Sequence, residues 1–201
     1  MRESTRTFIA IPIPDPIGRQ LARWQQELAS EVPGCRWTEG GCAFHITLAF
    51  LGDVPSRDLS NLCLAVAGAV GPSSRFDLQV AGLDAFPGPG RPRVLWAGIT
   101  ADDLAPLQAL RQAIVEAAAQ SGYPPDDPRF HPHVTLGRPR SDRKRPPVDL
   151  TDLVRREERR AFGSFAVTEV VTYASTLGPD GPTYAPLNRA RLQGKKTEAT
   201  H

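Results

Sequence analysis

The chain has 201 residues, 40% of them hydrophobic, with 24 Lys and Arg against 22 Asp and Glu, 20 Pro and only 4 His and 3 Cys. That supplies a core for one large domain or two small lobes, and a net charge of +2 excludes a broad basic stripe built to coat long nucleic acid. The longest apolar stretch, Leu62 to Val70, is far too short to span a bilayer. Met1 to Thr7 hold no apolar run of the secretory kind. Cys35, Cys42 and Cys63 are odd in number and lack zinc-site spacing, so a reducing, cytoplasmic setting is expected, with no membrane contact.

Arg6 to Ile13 alternates and reads as a strand. Asp15 and Pro16 offer an N-cap and a first-turn proline, and Ile17, Leu21, Trp24 and Leu28 then mark a helix with one buried stripe, ended at Pro33-Gly34. Phe44 to Gly52 is a second strand. Ser56 can cap a helix carrying Leu59, Leu62, Cys63 and Val66, closed by Gly71-Pro72. Phe76 to Leu83 is a third strand. After the turn-rich Pro87 to Gly90 the order returns: a strand from Arg93 to Ile99, a helix on Leu104, Leu107, Leu110 and Ile114 ending near Gly122, and a strand from His133 to Gly137. A helix follows from Leu150 to Arg160, then one strand from Phe165 to Tyr173, another from Tyr184 to Leu192, and a frayed tail over 193–201.

This order is an internal repeat. Phe8 and Val94 are 86 residues apart, His45 and His133 are 88 apart, and Phe76 and Phe165 are 89 apart. The expected fold is α+β: one duplicated, bilobal domain over 1–201, with repeat one at about 6–90 and repeat two at about 91–192. Each lobe would carry a mainly antiparallel sheet with helices packed on it, and the active site would lie in the cleft between lobes.

Two of the four histidines open the same tetrapeptide at matching places, His45-Ile46-Thr47-Leu48 and His133-Val134-Thr135-Leu136. Chance predicts about 0.02 copies of His-x-Thr-Leu in this composition. On a strand, residues i and i+2 share a face, so each His stands beside its Thr while Ile46, Leu48, Val134 and Leu136 point into the core. Two imidazoles titrate near neutrality, one able to take a proton while the other gives one. Threonine hydroxyls can donate to non-bridging phosphate oxygens. Stabilising a pentacoordinate phosphorane in this way requires no metal and no cofactor.

Taken together, Thr7 to Ile11, His45 to Gly52, Arg93 to Gly98, Phe130 to Arg138 and Leu177 to Tyr184 resemble landmarks of the two-histidine phosphoesterase superfamily. The likeness is to its RNA 2′,3′-cyclic phosphodiesterase branch, also called the LigT or 2′-5′ RNA ligase family, and runs from about Arg6 to Leu192. The resemblance implies that His133 accepts a proton from water and His45 donates one to the leaving O3′, while Thr47 and Thr135 hold the phosphate. The partner would be an RNA end or short oligonucleotide carrying a 2′,3′-cyclic phosphate, and the product a 2′-phosphate. Reversal with a 5′-hydroxyl would join ends through a 2′-5′ linkage. A monomer is expected. The two motifs are chemically alike, so the acid and base roles rest on the resemblance.

Other residues carry two readings each. Arg138 lies five residues after His133, on the opposite face by strict alternation, yet at a strand end it could turn back to the phosphate. Phe50, at the matching place after His45, either stacks on a terminal base or packs in the core. His131 and His133 form a His-x-His pair that could bind a metal, but Pro132 interrupts it and no acidic cluster accompanies it. Residues 129–160 hold ten Lys and Arg against five Asp and Glu, and the basic loop 138–145 either guides an RNA end or is a solvated charge run. Alternative functions are a phosphodiesterase for ADP-ribose 1″,2″-cyclic phosphate or 2′-5′ oligonucleotides, and a non-catalytic RNA- or nucleotide-binding module.

Overall fold

Most of the apolar stripes of the sequence meet in one core, and Phe8, Ala10, Val171 and Tyr173 form a smaller cluster apart from it. Ile17, Leu21, Trp24 and Leu28 are buried together with Leu107, Leu110 and Ile114 and with the inward residues of the motif strands, Ile46, Leu48, Val134 and Leu136. The structure, a computed structural model, describes residues 4–39, 44–125, 129–140, 148–178 and 181–194. Its elements run β1 (Ser4–Pro12), α1 (Asp15–Leu28), β2 (Arg36–Trp37), β3 (His45–Pro55), α2 (Leu59–Val70), β4 (Phe76–Phe86), β5 (Val94–Thr100), α3 (Ala105–Gln120), β6 (His133–Arg138), α4 (Thr151–Glu157), β7 (Ala161–Val167), β8 (Glu169–Gly178) and β9 (Gly181–Arg191).

The strands lie in the order β7-β4-β5-β6-β3-β1-β8-β9, with β2 on the free end of β6. Neighbouring strands pair antiparallel throughout this path. The two halves meet at β3 and β6 through the single register pair Ile46↔Val134. The α+β, duplicated architecture is therefore present, with a feature that local patterning does not express: each half of the sheet takes strands from both sequence repeats. β4 lies between β5 and β7, whereas β8 and β9 join β1. By position beside β1 and β5, the counterpart of β4 is β8, not β7. Phe165 sits on β7 across from Leu78 of β4, so the 89-residue spacing from Phe76 relates neighbours rather than equivalents. The two strands look alike because both turn apolar residues into the same core.

Local differences have local causes. The run from Phe165 to Tyr173 divides at Thr168 into β7 and β8, which pair with different strands. Helix α1 includes Asp15 in its first turn, with Pro14 at the cap position. Helix α2 starts at Leu59 after Asp58, with no side-chain cap bond; the Asp58 carboxylate instead accepts the Tyr123 hydroxyl at 2.6 Å. Trp24 is fully buried against Phe162, ring centroids 4.5 Å apart.

The basic residues of 155–160 are engaged away from the motifs. Arg156 of α4 pairs with Glu31, just past α1, at 2.7 Å, and Arg160 in the α4–β7 link pairs with Glu27 of α1 at 2.7 Å. Residues 141–145 of the predicted basic loop, and most of the predicted tail, lie outside the described residues. No helix among the described residues is long and apolar enough to cross a membrane.

Candidate active site

Helices cover one face of the sheet, and the opposite face carries the motifs. His45, Thr47, His133 and Thr135 are all half-buried there, while Ile46, Leu48, Val134 and Leu136 are buried beneath, as period-two alternation requires. Antiparallel register through Ile46↔Val134 sets His45 in line with Thr135 and Thr47 in line with His133. One short ladder contact thus brings the four motif side chains together on a single surface.

Alternation alone would send Phe50 and Arg138 to the helix side. Both instead emerge on the motif face, because each motif strand contains a β-bulge. Along β3 the partners step from Ala10↔Thr47 to Ile9↔Ala49, leaving Leu48 as an extra residue. Along β6 they step from Trp96↔Thr135 to Leu95↔Gly137, leaving Leu136 extra. Leu48 and Ala49 are both buried, as are Leu136 and Gly137, and the next residue in each strand, Phe50 or Arg138, is exposed. The positions correspond at the same 88-residue spacing as the histidines.

β2 braces the second bulge. It pairs through Arg36↔Arg138 and Trp37↔Gly137. Thr38 donates its N–H to the Leu136 carbonyl at 2.8 Å and its hydroxyl to the Thr135 carbonyl at 3.1 Å. Glycine is needed at 137 because a Cβ there would stand 2.7 Å from Cys35 Sγ and 2.9 Å from the Trp37 ring. Burial pushes the Cys35 thiol up to about 12 against its backbone hydrogen bond with Arg138, and the thiolate is disfavoured at neutral pH.

Each histidine has an aromatic wall. His45 lies 4.9 Å from the Phe8 ring and 5.3 Å, edge-on, from Tyr184. Phe8 in turn stacks on Tyr173 at 5.1 Å and contacts Phe50 at 5.8 Å. Phe50 is 57% exposed, which overturns its core-packing reading and leaves its face available for stacking. Across the surface, Phe86 meets the rings of His133 and His131 edge-on at 5.1 and 5.4 Å, and Trp96 lies 4.9 Å from His131. Phe8, Tyr173, Tyr184, Phe86 and Trp96 carry no functional role in the sequence reading, unlike Phe50 and His131. Phe8, Trp96 and Tyr184 lay inside quoted landmark segments, but what put them on this face was strand pairing between distant parts of the chain.

The His133 ring is oriented. Its Nδ1 lies 2.7 Å from the His131 carbonyl oxygen. A carbonyl only accepts, so Nδ1–H donates and the neutral ring keeps its lone pair on Nε2. Desolvation by burial pulls the His133 pKa below its ordinary value, the backbone hydrogen bond opposes that, and the charges of His131 and Arg138 pull the same way as burial. Arg138 and Arg6 also act on Tyr184, whose hydroxyl burial raises, so the guanidinium of Arg138 reaches the field of both walls. Among the described residues no group of three or more His, Cys, Asp or Glu converges as a metal site.

The LigT-like phosphoesterase family model matches the chain twice, over residues 11–96 and 99–184. An RNA 2′,3′-cyclic phosphodiesterase of Archaeoglobus fulgidus is 32% identical over 90% of this chain and 97% of its own. Another of that name, from Geobacillus stearothermophilus, is 33% identical over 85% of this chain, which spans about half of it, 52%. Among solved structures, E. coli LigT complexed with 3′-AMP is 30% identical, with a TM-score of 0.70 over 94% of this chain and 99% of that one. A duplicated sheet with paired motifs, matched in both repeats and along nearly its whole length, is what assigns this chain: it belongs to the LigT-like phosphoesterase family.

Proposed function

We propose that this phosphoesterase opens RNA 2′,3′-cyclic phosphate ends to 2′-phosphomonoesters, with His133 as general base and His45 as general acid. The observation that carries the reading is the hydrogen bond from His133 Nδ1 to the His131 carbonyl, on the same surface as a second, motif-equivalent histidine. It leaves Nε2 as a lone pair, and burial favours the neutral ring that a base requires.

Water gives a proton to His133 Nε2 as its oxygen attacks phosphorus. The P–O3′ bond breaks, and O3′ takes a proton from the His45 imidazolium. The phosphate remains on O2′, and solvent exchange resets both rings. Thr47 and Thr135 donate to non-bridging oxygens, and Arg138 adds the positive charge that offsets the phosphorane. Phe50 offers its exposed ring to the terminal base. These groups are sufficient for in-line displacement without a metal. A 5′-hydroxyl in place of water gives a 2′-5′ linkage by the same atom balance.

The test is incubation with an oligoribonucleotide ending in a 2′,3′-cyclic phosphate, in EDTA, with mass and phosphatase analysis of the product. A 2′-phosphate end formed at an undiminished rate supports the reading. No turnover, a 3′-phosphate end, or activity abolished by the chelator contradicts it.

A further inference from the structure

The two bulges that put Phe50 and Arg138 on the motif face have matching supports on the other side of the sheet. Gln25 of α1, 7% exposed, donates from Nε2 to the carbonyl of the extra residue Leu136 at 2.7 Å and to the Thr38 carbonyl at 3.0 Å. Arg111 of α3 donates from Nε to the carbonyl of the extra residue Leu48 at 3.3 Å. Gln25 and Arg111 are 86 residues apart, the spacing that also relates Leu21, Trp24 and Leu28 to Leu107, Leu110 and Ile114. They are therefore equivalent positions on equivalent helices. Each reaches the motif strand of the other repeat: α1 of the first serves β6, and α3 of the second serves β3.

A bulge interrupts the regular ladder, and the local twist it adds re-aims the side chain that follows. Buried carbonyls at a bulge take donors from outside the regular ladder: the Leu136 carbonyl accepts the Gln25 amide together with the Thr38 N–H, and the Leu48 carbonyl accepts the Arg111 guanidinium. We infer that Gln25 and Arg111 are paired positioning residues, each holding the bulge of the opposite repeat so that Arg138 and Phe50 face the reacting phosphate and its base. The inference rests on the cyclic phosphodiesterase reading for its catalytic consequence, but its structural part is testable without turnover.

Arg138 and His131 are the charged and titratable groups acting on His133, and Arg138 depresses its pKa. If Gln25 acts through the β6 bulge, Q25M moves Arg138 and raises the pKa of His133. NMR titration of the ring in wild type, Q25M, R138A and the double variant reads this directly. Both single variants are expected to raise the His133 pKa, with the double variant matching R138A alone. A Q25M protein that melts lower but titrates like wild type overturns the inference, as does a double variant whose shift is the sum of the two. If Q25M does not fold, Q25N, with its amide drawn back by one methylene, takes its place.

In kinetics, Q25M and R111M are each expected to lower kcat/KM by on the order of ten- to a hundredfold, the cost of misplacing a group by about 1 Å. R111K, which keeps a donor, restores most of the loss. R111M adds nothing to F50A, and Q25M adds nothing to R138A. Multiplying effects contradict the inference. A wild-type protein without turnover defeats the functional reading, while the titration still decides the positioning role.

Discussion

His133 differs from an ordinary exposed histidine in two ways: its Nδ1–H is committed to the His131 carbonyl, and burial lowers its pKa below 6.5. If it is the base, the acid-side fall of kcat/KM has its midpoint below pH 6.5, while the fall at higher pH belongs to loss of the His45 proton; an acid-side midpoint above 6.5 speaks against the role of His133. Stability follows the same group. Above pH 6.5 the ring is neutral in folded and unfolded chains alike. As pH falls through 6.5 the unfolded chain takes a proton first, so this group's contribution is lost as pH drops towards its lowered folded pKa. Replacing Arg138 with Ala removes a preorganised positive donor and is expected to cost about 10²–10³ in kcat/KM, measurable by steady-state kinetics; a change below threefold contradicts a phosphate role. The motif residues were legible because two rare tetrapeptides recur in register. Arg138 and Phe50 were legible only as ambiguities, since their faces depend on bulges that a period of two conceals.

At the level of elements, the strands and helices follow from periodicity and turns, though Asp15 and Ser56 do not cap their helices, and β2 does not follow at all. Arg36-Trp37 is too short for a pattern, and it forms because β6 offers an edge and Thr38 finds the Thr135 and Leu136 carbonyls. Close packing of β2 on β6 makes Gly137 a sensitive position. G137A forces Cβ against Cys35 and Trp37 and is expected to cost about 1–3 kcal/mol. That lowers Tm by roughly 2–4 °C per kcal/mol for a chain of this size. G88A, with open space around it, is the control and should leave Tm unchanged by differential scanning calorimetry. Equal melting of both variants contradicts this account of β2.

For the whole molecule, the exchange of β4 and β8 between the halves was not legible, because strand pairing is non-local and similar apolar patterns fit several partners. The exchange makes the halves interdependent: residues 1–92 alone lack the strands that cover β1 and flank β4. Each half expressed separately is expected to be unfolded by circular dichroism and amide exchange, and cooperative melting of either alone contradicts it. The same geometry joins the two histidines through one register pair, so the two motifs share a single surface. The most direct measurement is turnover of an RNA 2′,3′-cyclic phosphate in EDTA by wild type, H45A, H133A and the double variant. Each single variant is predicted to lose about 10²–10⁴ in kcat, and the double variant little more, because the pair acts as a unit. Undiminished turnover by either single variant contradicts paired acid–base catalysis at this site.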